Sequence, residues 1–327
     1  MRCTSRKRIA RLFCLCLVVS CFLSGCGDLT YDMAYEADFN VSSFNILSKQ
    51  DTRAAEPFAA NLCVVKDNVP GEHDLNMEQV NAAALFSLND KQVLYAKNVH
   101  EVLHPASLTK VMTAIVALKN GSLDQVLTAT NAVNITVPGA QLMGLKVGDS
   151  MTLDQALRIL LLYSANDVAM LIAEGVGGSV DNFLEMMNQE AHRLGATNTH
   201  FANPHGLTDP KHYTTAYDLY LIFNEAIKYE TFTEIIQMSS YQTTYYDSRG
   251  TAKEFNRQST NGFLRGNYQA PSNVTVIGGK TGTTSAAGHC LMLLSRDVSG
   301  APYISVILGT PSSDVLYPAM IELLGEI

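Results

Sequence analysis

A serine and a lysine stand three residues apart, at Ser107 and Lys110, where the spacing of apolar residues predicts the first turn of a helix. Positions i and i+3 of a helix share a face, so the lysine amine can accept the serine's proton. This requires burial or neighbouring cations to lower the lysine pKa. Backbone N–H groups at the helix start can also face a developing oxyanion. The pair indicates a serine nucleophile, although S-x-x-K arises by composition roughly once in such a chain.

A second polar pair, Ser164 and Asn166, follows a long apolar helix predicted at 152–163. A turn in that place can hold the serine hydroxyl and the asparagine amide in a cleft. The S-x-N pattern is weak, because it also occurs at 43–45, 87–89 and 259–261. Its position after the helix therefore selects Ser164.

A third segment, Lys280-Thr281-Gly282, follows a strand-like run and precedes Thr283. Gly279 and Gly282 let a ligand backbone approach the strand edge closely. The ammonium and hydroxyl groups together can bind a carboxylate. A polar strand end without a ligand is the competing interpretation of this segment alone.

These segments must be positioned by the elements around them. Helical spacing predicts helices at 107–118, 152–163, 166–174, 180–194 and about 314–324. Strand patterns cover 83–88, 92–96, 277–280, 291–294 and 303–308. Strands at both ends of the chain with a helical middle indicate one sheet, assembled from distant segments and covered by helices.

The order S-x-x-K, S-x-N, K-T-G is the motif set of penicillin-binding proteins and class A β-lactamases. Residues 105–114, 203–207 and 278–282 (PASLTKVMTA, NPHGL and GGKTG) resemble the low-molecular-mass D-alanyl-D-alanine carboxypeptidases. These are serine-type penicillin-binding proteins of peptidase family S11. The resemblance covers about residues 80–310. It departs from the family at Thr283, where many carboxypeptidases carry a bulky or aromatic residue, so the substrate preference is less specified than the reaction type.

The resemblance implies an α+β fold of the transpeptidase/β-lactamase type. In that fold a five-stranded antiparallel sheet lies between helical layers, and a helical subdomain carries Ser164. It implies that Ser107 is acylated, Lys110 is its base, Ser164 relays a proton to the leaving D-alanine and Asn166 holds the substrate amide. It further implies that the segment Lys280-Thr281-Gly282 binds the terminal carboxylate, and that the N–H groups of Ser107 and Thr283 form the oxyanion hole.

The resemblance also implies substrates and partners. The expected activity is removal of the terminal D-alanine from pentapeptide stems of peptidoglycan, with β-lactam antibiotics as covalent inhibitors and without a cofactor. The chain has 23 basic and 31 acidic residues, a net charge of −8, and its only basic cluster lies at the N-terminus. A nucleic-acid partner is therefore not expected.

The N-terminus resembles a bacterial lipoprotein signal. Basic residues precede an apolar run at 12–23, which ends in Leu23-Ser24-Gly25-Cys26. This predicts a signal peptide at 1–25 and a lipid on Cys26 that anchors the exported protein to the outer face of the cytoplasmic membrane. Residues 26–79 are predicted to be a spacer and 80–327 the peptidase domain. An ordinary signal peptide or an uncleaved anchor are the alternatives.

Two cysteines remain beyond the signal and the lipidation site, Cys63 and Cys290. Their spacing matches no metal motif. A single disulfide between them is one interpretation, and two unpaired thiols is the one we adopt, because nothing in the sequence brings their Cβ atoms together.

Three other functions stay open on the sequence. A class A β-lactamase needs a further glutamate, and the nearest candidate, Glu185, lies inside the predicted helix 180–194 as a solvated residue. A metallopeptidase would use His200, His205 and His212, which lack ligand spacing and for which we expect a structural or substrate-flanking role. A non-catalytic module that senses β-lactams or binds peptidoglycan could keep the same serine.

Overall fold

The computed structural model describes residues 59–327. The predicted signal peptide, the lipidation site at Cys26 and the first part of the predicted spacer lie outside these residues. Within 59–327, no helix combines the length and the apolar character needed to cross a membrane.

The main sheet has five antiparallel strands, as the family resemblance implies, and their order is β2-β1-β9-β8-β7. Strands from the two ends of the chain meet at its centre, where β1 pairs with β9. The strands are β1 (Ala82–Ser87), β2 (Gln92–Lys97), β7 (Val274–Thr284), β8 (Gly288–Asp297) and β9 (Pro302–Thr310). Strand β7 forms one edge of the sheet and carries the Lys280-Thr281-Gly282 segment.

Helices cover both faces of this sheet, and all six residues of β1 are buried. Alternate residues of a strand point to opposite faces. The helices that pack on the two faces are α1 (Lys110–Asn120), α5 (Ala216–Ala226) and α7 (Ser313–Leu324). Accordingly, Ala84 and Phe86 belong to the core around α1 and α5, whereas Ala83 and Leu85 belong to the core around α7.

A helical region on one side of the sheet supplies the second motif. It contains α2 (Leu153–Leu162), α3 (Asn166–Gly177) and α4 (Val180–Arg193), close to the predicted bounds, followed by α6 (Glu230–Ile236). Helix α2 begins at a capping box in which Thr152 and Gln155 satisfy each other's backbone N–H groups. Its apolar face is buried, which fixes the position of the turn that follows.

A second sheet, which the sequence interpretation missed, has the strand order β3-β4-β5-β6. Its strands are β3 (Val126–Thr128), β4 (Ser150–Thr152), β5 (Ser240–Tyr246) and β6 (Ala252–Gln258). Two of them have only three residues, too few for a period-2 pattern to stand out. Strand β5 alternates between exposed and partly buried residues and is rich in Thr and Tyr, a signal that was available.

Residues 59–79 pack on the body described above, so the folded unit begins before the predicted boundary at residue 80. The side chain of Cys63 is fully buried, and its backbone N–H donates to the Tyr220 hydroxyl at 2.9 Å. Val69 pairs with Ala96 of β2. Scattered apolar residues without a period gave no sign of this docking in the sequence, because an irregular segment docks through single side chains.

Cys63 and Cys290 are both unpaired and buried. The expectation of two free thiols is therefore confirmed. Burial raises the pKa of the Cys290 thiol to about 12, which keeps it protonated.

Candidate active site

Ser107 lies in a short 3₁₀ turn, Ala106–Thr109, and the α-helix begins only at Lys110. The helix start predicted at Ser107 is thus three residues early. Ala106 has a φ of +48°, an uncommon value for a residue with a side chain. The turn is held by Thr109, whose hydroxyl donates to the Ala106 carbonyl at 2.8 Å. Gly206 packs directly against it, since a Cβ there would lie 1.9 Å from the Ala106 oxygen.

Lys110 is fully buried, and its amine lies 2.9 Å from the Ser107 hydroxyl oxygen. The same amine donates to the Asn166 side-chain oxygen at 2.6 Å and to the His205 carbonyl at 2.5 Å. A neutral lysine amine has two N–H groups and one lone pair. The two carbonyl oxygens can only accept, so they take both N–H groups, and the lone pair is left for the Ser107 proton.

The electrostatics of Lys110 favour this neutral form. Burial first, and the charge of Lys280 second, hold its pKa well below the usual value, while Asp167 opposes them weakly. A lysine in this state can act as a base near neutral pH.

Ser164 lies in the turn between α2 and α3, as the sequence predicts, with a φ of +70°. Non-glycine residues in this region are uncommon and cluster at functional sites. The Ser164 hydroxyl accepts a hydrogen bond from the Lys280 amine at 2.9 Å. This contact joins the second and third motifs across the cleft.

Lys280 is 1% exposed, and its amine also donates to the Thr281 carbonyl at 2.9 Å. Burial lowers the pKa of Lys280 to about 7. No carboxylate hydrogen-bonds to this amine within the described part of the chain. An anionic ligand nearby would therefore stabilise the charged form of Lys280.

The edge of β7 lies against the nucleophile turn. A Cβ on Gly282 would lie 3.0 Å from the Ser107 backbone nitrogen, so glycine is what permits this approach. Thr283 follows directly, and both Ser107 and Thr283 line the cleft. The family resemblance implies an oxyanion hole formed by the backbone N–H groups of these two residues.

One cleft of about 360 Å³ receives all three motifs. Both lysine side chains are buried behind its wall. The structure therefore brings together every residue that the sequence proposed for the site, except the lipidation site at Cys26, which lies outside the described residues. The predicted site residues that line the cleft are Ser107, Ser164, Asn166, Thr281, Gly282 and Thr283.

Asp167 is a residue that the sequence interpretation missed. Its buried carboxylate accepts backbone N–H groups from Met143, Gly144 and Leu145 at 2.7–3.0 Å. These residues belong to the segment 139–148, whose first three residues line the cleft. An Asp in the first turn of a helix is ordinary, so its position does not indicate that Asp167 holds one wall of the site.

The sequence pattern does not identify Thr260 as a site residue either, because the S-x-N pattern at 259–261 does not follow a long apolar helix. Its hydroxyl lies 2.6 Å from the hydroxyl of Thr281, and it lines the cleft. It widens the hydrogen-bonding surface beside the β7 edge.

The histidines have structural positions next to the nucleophile. His212 accepts the Ala202 N–H with Nδ1 at 3.1 Å, so Nε2 carries the proton and donates to Thr109 at 2.7 Å. Burial lowers the pKa of His212 to about 4 and that of His205 to about 3. Among residues 59–327, no cluster of three candidate metal ligands occurs. Glu185 lies exposed on α4 and accepts from Gln189, as predicted for a solvated helix face.

The fold and the site define an active-site serine protein of the class that contains the penicillin-binding proteins and β-lactamases. The sequence profile of the D-alanyl-D-alanine carboxypeptidases, Peptidase_S11, matches residues 72–312. The chain belongs to this family.

Curated relatives agree with this assignment. D-alanyl-D-alanine carboxypeptidase DacF of Bacillus subtilis is 35% identical over 221 residues, which cover 65% of this chain and 53% of the relative. Carboxypeptidase DacC of Escherichia coli is 31% identical over 257 residues, which cover 75% of this chain and 61% of the relative. The chain thus spans little more than half the length of these relatives.

Solved structures share the fold along most of their length. The crystal structure of the Streptomyces K15 DD-transpeptidase superposes with a TM-score of 0.68 at 28% identity, over 79% of this chain and 97% of that one. The D-alanyl-D-alanine carboxypeptidase of Mycobacterium tuberculosis gives 0.69 at 26% identity, over 80% and 95%.

Proposed function

We propose that this protein is a serine-type D-Ala-D-Ala carboxypeptidase, which removes the terminal D-alanine from peptidoglycan stem peptides through an acyl-enzyme on Ser107. The observation that carries the proposal is the environment of the Lys110 amine. Two carbonyl oxygens accept its N–H groups, and its nitrogen lies 2.9 Å from the Ser107 hydroxyl oxygen, so the lone pair is left for the Ser107 proton. Family membership supports the substrate class.

In the acylation step, the Ser107 oxygen attacks the carbonyl carbon of the penultimate D-alanine, while its proton moves to the neutral Lys110 amine. The carbonyl oxygen becomes an oxyanion that the N–H groups of Ser107 and Thr283 stabilise. The C–N bond then breaks, and Ser164 relays the proton from Lys110 to the leaving amine of D-alanine.

In the deacylation step, a water molecule replaces the leaving group. Lys110 takes one proton from it as the oxygen adds to the ester carbonyl. The bond to the Ser107 oxygen then breaks, and the proton returns to Ser107, so the enzyme is restored. In both steps Asn166 positions the substrate amide, since its amide nitrogen makes no hydrogen bond to other described residues.

In this proposal, the edge of β7 selects peptides that end in a free carboxylate. The segment Lys280-Thr281-Gly282 receives the terminal carboxylate, and Lys280 becomes fully charged when that anion is bound. β-Lactams carry a carboxylate next to a strained amide. They are therefore expected to acylate Ser107 and to inhibit the enzyme covalently.

We also propose that the protein is exported and held at the outer face of the cytoplasmic membrane by a lipid on Cys26. The support is the basic and apolar N-terminal pattern, which ends in Leu23-Ser24-Gly25-Cys26. A Cys26→Ala variant should leave the membrane fraction and appear in the soluble fraction of the cell envelope. Retention of this variant in the membrane would contradict the lipid anchor.

One experiment tests the enzymatic proposal. The protein and its Ser107→Ala variant are incubated with a labelled penicillin and, separately, with a pentapeptide that ends in D-Ala-D-Ala. We expect a long-lived adduct on Ser107 and released D-alanine, both absent in the variant. Rapid penicillin turnover would instead indicate a β-lactamase, and an adduct without D-alanine release would indicate a sensor.

A further inference from the structure

The wall of the cleft carries almost no charge. Among the described residues that line it there is no Asp, Glu, Lys or Arg, and His289 is the single basic side chain. Lys280 is buried behind this wall and uses two of its three N–H groups on Ser164 and Thr281. At the surface of the cleft a carboxylate therefore meets one basic side chain, which is His289.

His289 is held in a defined orientation on β8. It lies directly opposite Thr283 in the register of β7 and β8. Its Nδ1 atom is 3.4 Å from the Thr283 hydroxyl and 3.2 Å from the hydroxyl of Ser313, at the start of α7. Nε2 makes no hydrogen bond to the described residues, and the residue is partly exposed. One nitrogen fixes the ring, and the other is available to a ligand.

This imidazole lies on the same side of the strand as the proposed carboxylate site. Alternation along β7 puts the side chains of Thr281 and Thr283 on one face. Thr260 contacts Thr281 on that face, and His289 contacts Thr283. Residues i and i+2 of a strand are about 7 Å apart. His289 is the diagonal cross-strand neighbour of Thr281, roughly 7–8 Å away, and one carboxylate can span this separation with one oxygen on each side chain.

We propose that His289 binds the terminal carboxylate of the substrate, donating from Nε2 while Thr281 donates to the other oxygen. The proposal rests on the carboxypeptidase activity proposed above and adds a specificity-determining residue outside the three motifs. It also gives Thr283 a role, because its hydroxyl reaches across to the imidazole.

The test uses the full folded domain and the variants His289→Asn and His289→Arg. One pentapeptide ends in D-Ala-D-Ala with a free carboxylate, and a matched peptide has a C-terminal amide. We expect His289→Asn to raise KM for the free acid about tenfold, the value of one charge-assisted hydrogen bond, with kcat within about twofold. KM for the amide should stay unchanged, and His289→Arg should recover most of the loss. His192→Asn, on the exposed face of α4, is the matched control.

Equal effects of His289→Asn on the acid and the amide, a fall in kcat alone, or no effect would overturn the proposal. A second substrate pair separates this failure from a failure of the enzymatic proposal. The acylation rates with a labelled penicillin and with its carboxylate methyl ester need no D-alanine release. If the acylation rate of His289→Asn falls with the free acid alone, the role of His289 is supported even in a protein that releases no D-alanine. If the acylation rate falls equally with the free acid and with the methyl ester, the role of His289 is refuted.

Discussion

Two lysines are buried behind the wall of the cleft, each with its amine 2.9 Å from a serine hydroxyl oxygen, yet their surroundings differ. Lys110 donates to the side-chain oxygen of Asn166 and to a backbone carbonyl of another segment. Lys280 donates to Ser164 and to the carbonyl of its neighbour Thr281. Burial lowers the pKa of both, but only Lys110 is lowered further by the charge of the other.

The difference shows how one residue type serves two purposes in one site. Two ammonium groups without a carboxylate partner repel each other in a buried region, so the pair holds one charge more readily than two. In the proposed mechanism the charge falls on Lys280, where an anionic substrate can use it, and Lys110 is left neutral, where a base is needed. Substitutions at Lys110, Lys280 and Asp167 test this difference, and the effect on catalysis should be largest at Lys110.

The largest effect should come from Lys110→Met, which keeps the apolar stem and removes the amine. Loss of a general base typically costs between about 10² and 10⁴ in rate, and we expect penicillin acylation to slow by about 10³-fold. The rate of adduct formation measures this, with the melting temperature as a check on folding. Lys119→Met, on the same helix but paired with Glu190, is the control and should label normally. Acylation of Lys110→Met within tenfold of the unmodified protein would exclude Lys110 as the base.

Lys280→Met should have a smaller effect that depends on the substrate. Lys280 lies behind the wall of the cleft, so the substitution removes a buried positive charge near the carboxylate, and we expect kcat/KM to fall roughly 10-fold for a peptide with a free carboxylate. Steady-state rates on the free acid and on its C-terminal ester measure the difference. The loss on the ester should be clearly smaller, and equal losses would contradict the role of Lys280 as the carboxylate's cation.

Asp167→Asn should mainly reduce stability. The buried carboxylate accepts three backbone N–H groups of the segment 139–148, and an amide nitrogen cannot accept them. We expect the free energy of unfolding in urea to fall by about 2 kcal/mol. Asp181→Asn, in an exposed position at the start of α4, should leave it unchanged. If both variants unfold at the same urea concentration, Asp167 does not anchor this wall.

The sequence predicted the strands of the main sheet and five of the seven α-helices in residues 59–327, because their signals are local, but it did not predict α5 or α6. The apolar period of 152–163 and 180–194 gave α2 and α4 nearly to the residue. The sequence did not predict the second sheet, since its three-residue strands β3 and β4 become ordered only by pairing with distant segments. It also did not predict that residues 59–79 dock on the body, because that docking depends on contacts with distant residues such as Tyr220.

At the site, the sequence predicted the residues whose types define the motifs. It could not give the partners of Lys110, because the His205 carbonyl is a backbone group that leaves no mark in the sequence. Asp167 and Thr260 were missed as well, since their roles depend on a segment and a strand that only the fold brings near. His289 depends on the register between β7 and β8, which is set far from the motifs.

The most direct test of the contrast between the two lysines is the pH dependence of acylation. A penicillin whose carboxylate is esterified is used, so that carboxylate binding does not contribute. The rate should fall on the acid side as Lys110 becomes protonated, because only the neutral amine accepts the Ser107 proton. In Lys280→Met the neighbouring charge is absent, so the pKa of Lys110 should rise and this fall should move to higher pH. An acid-side fall that stays in place or moves to lower pH in Lys280→Met would contradict the account.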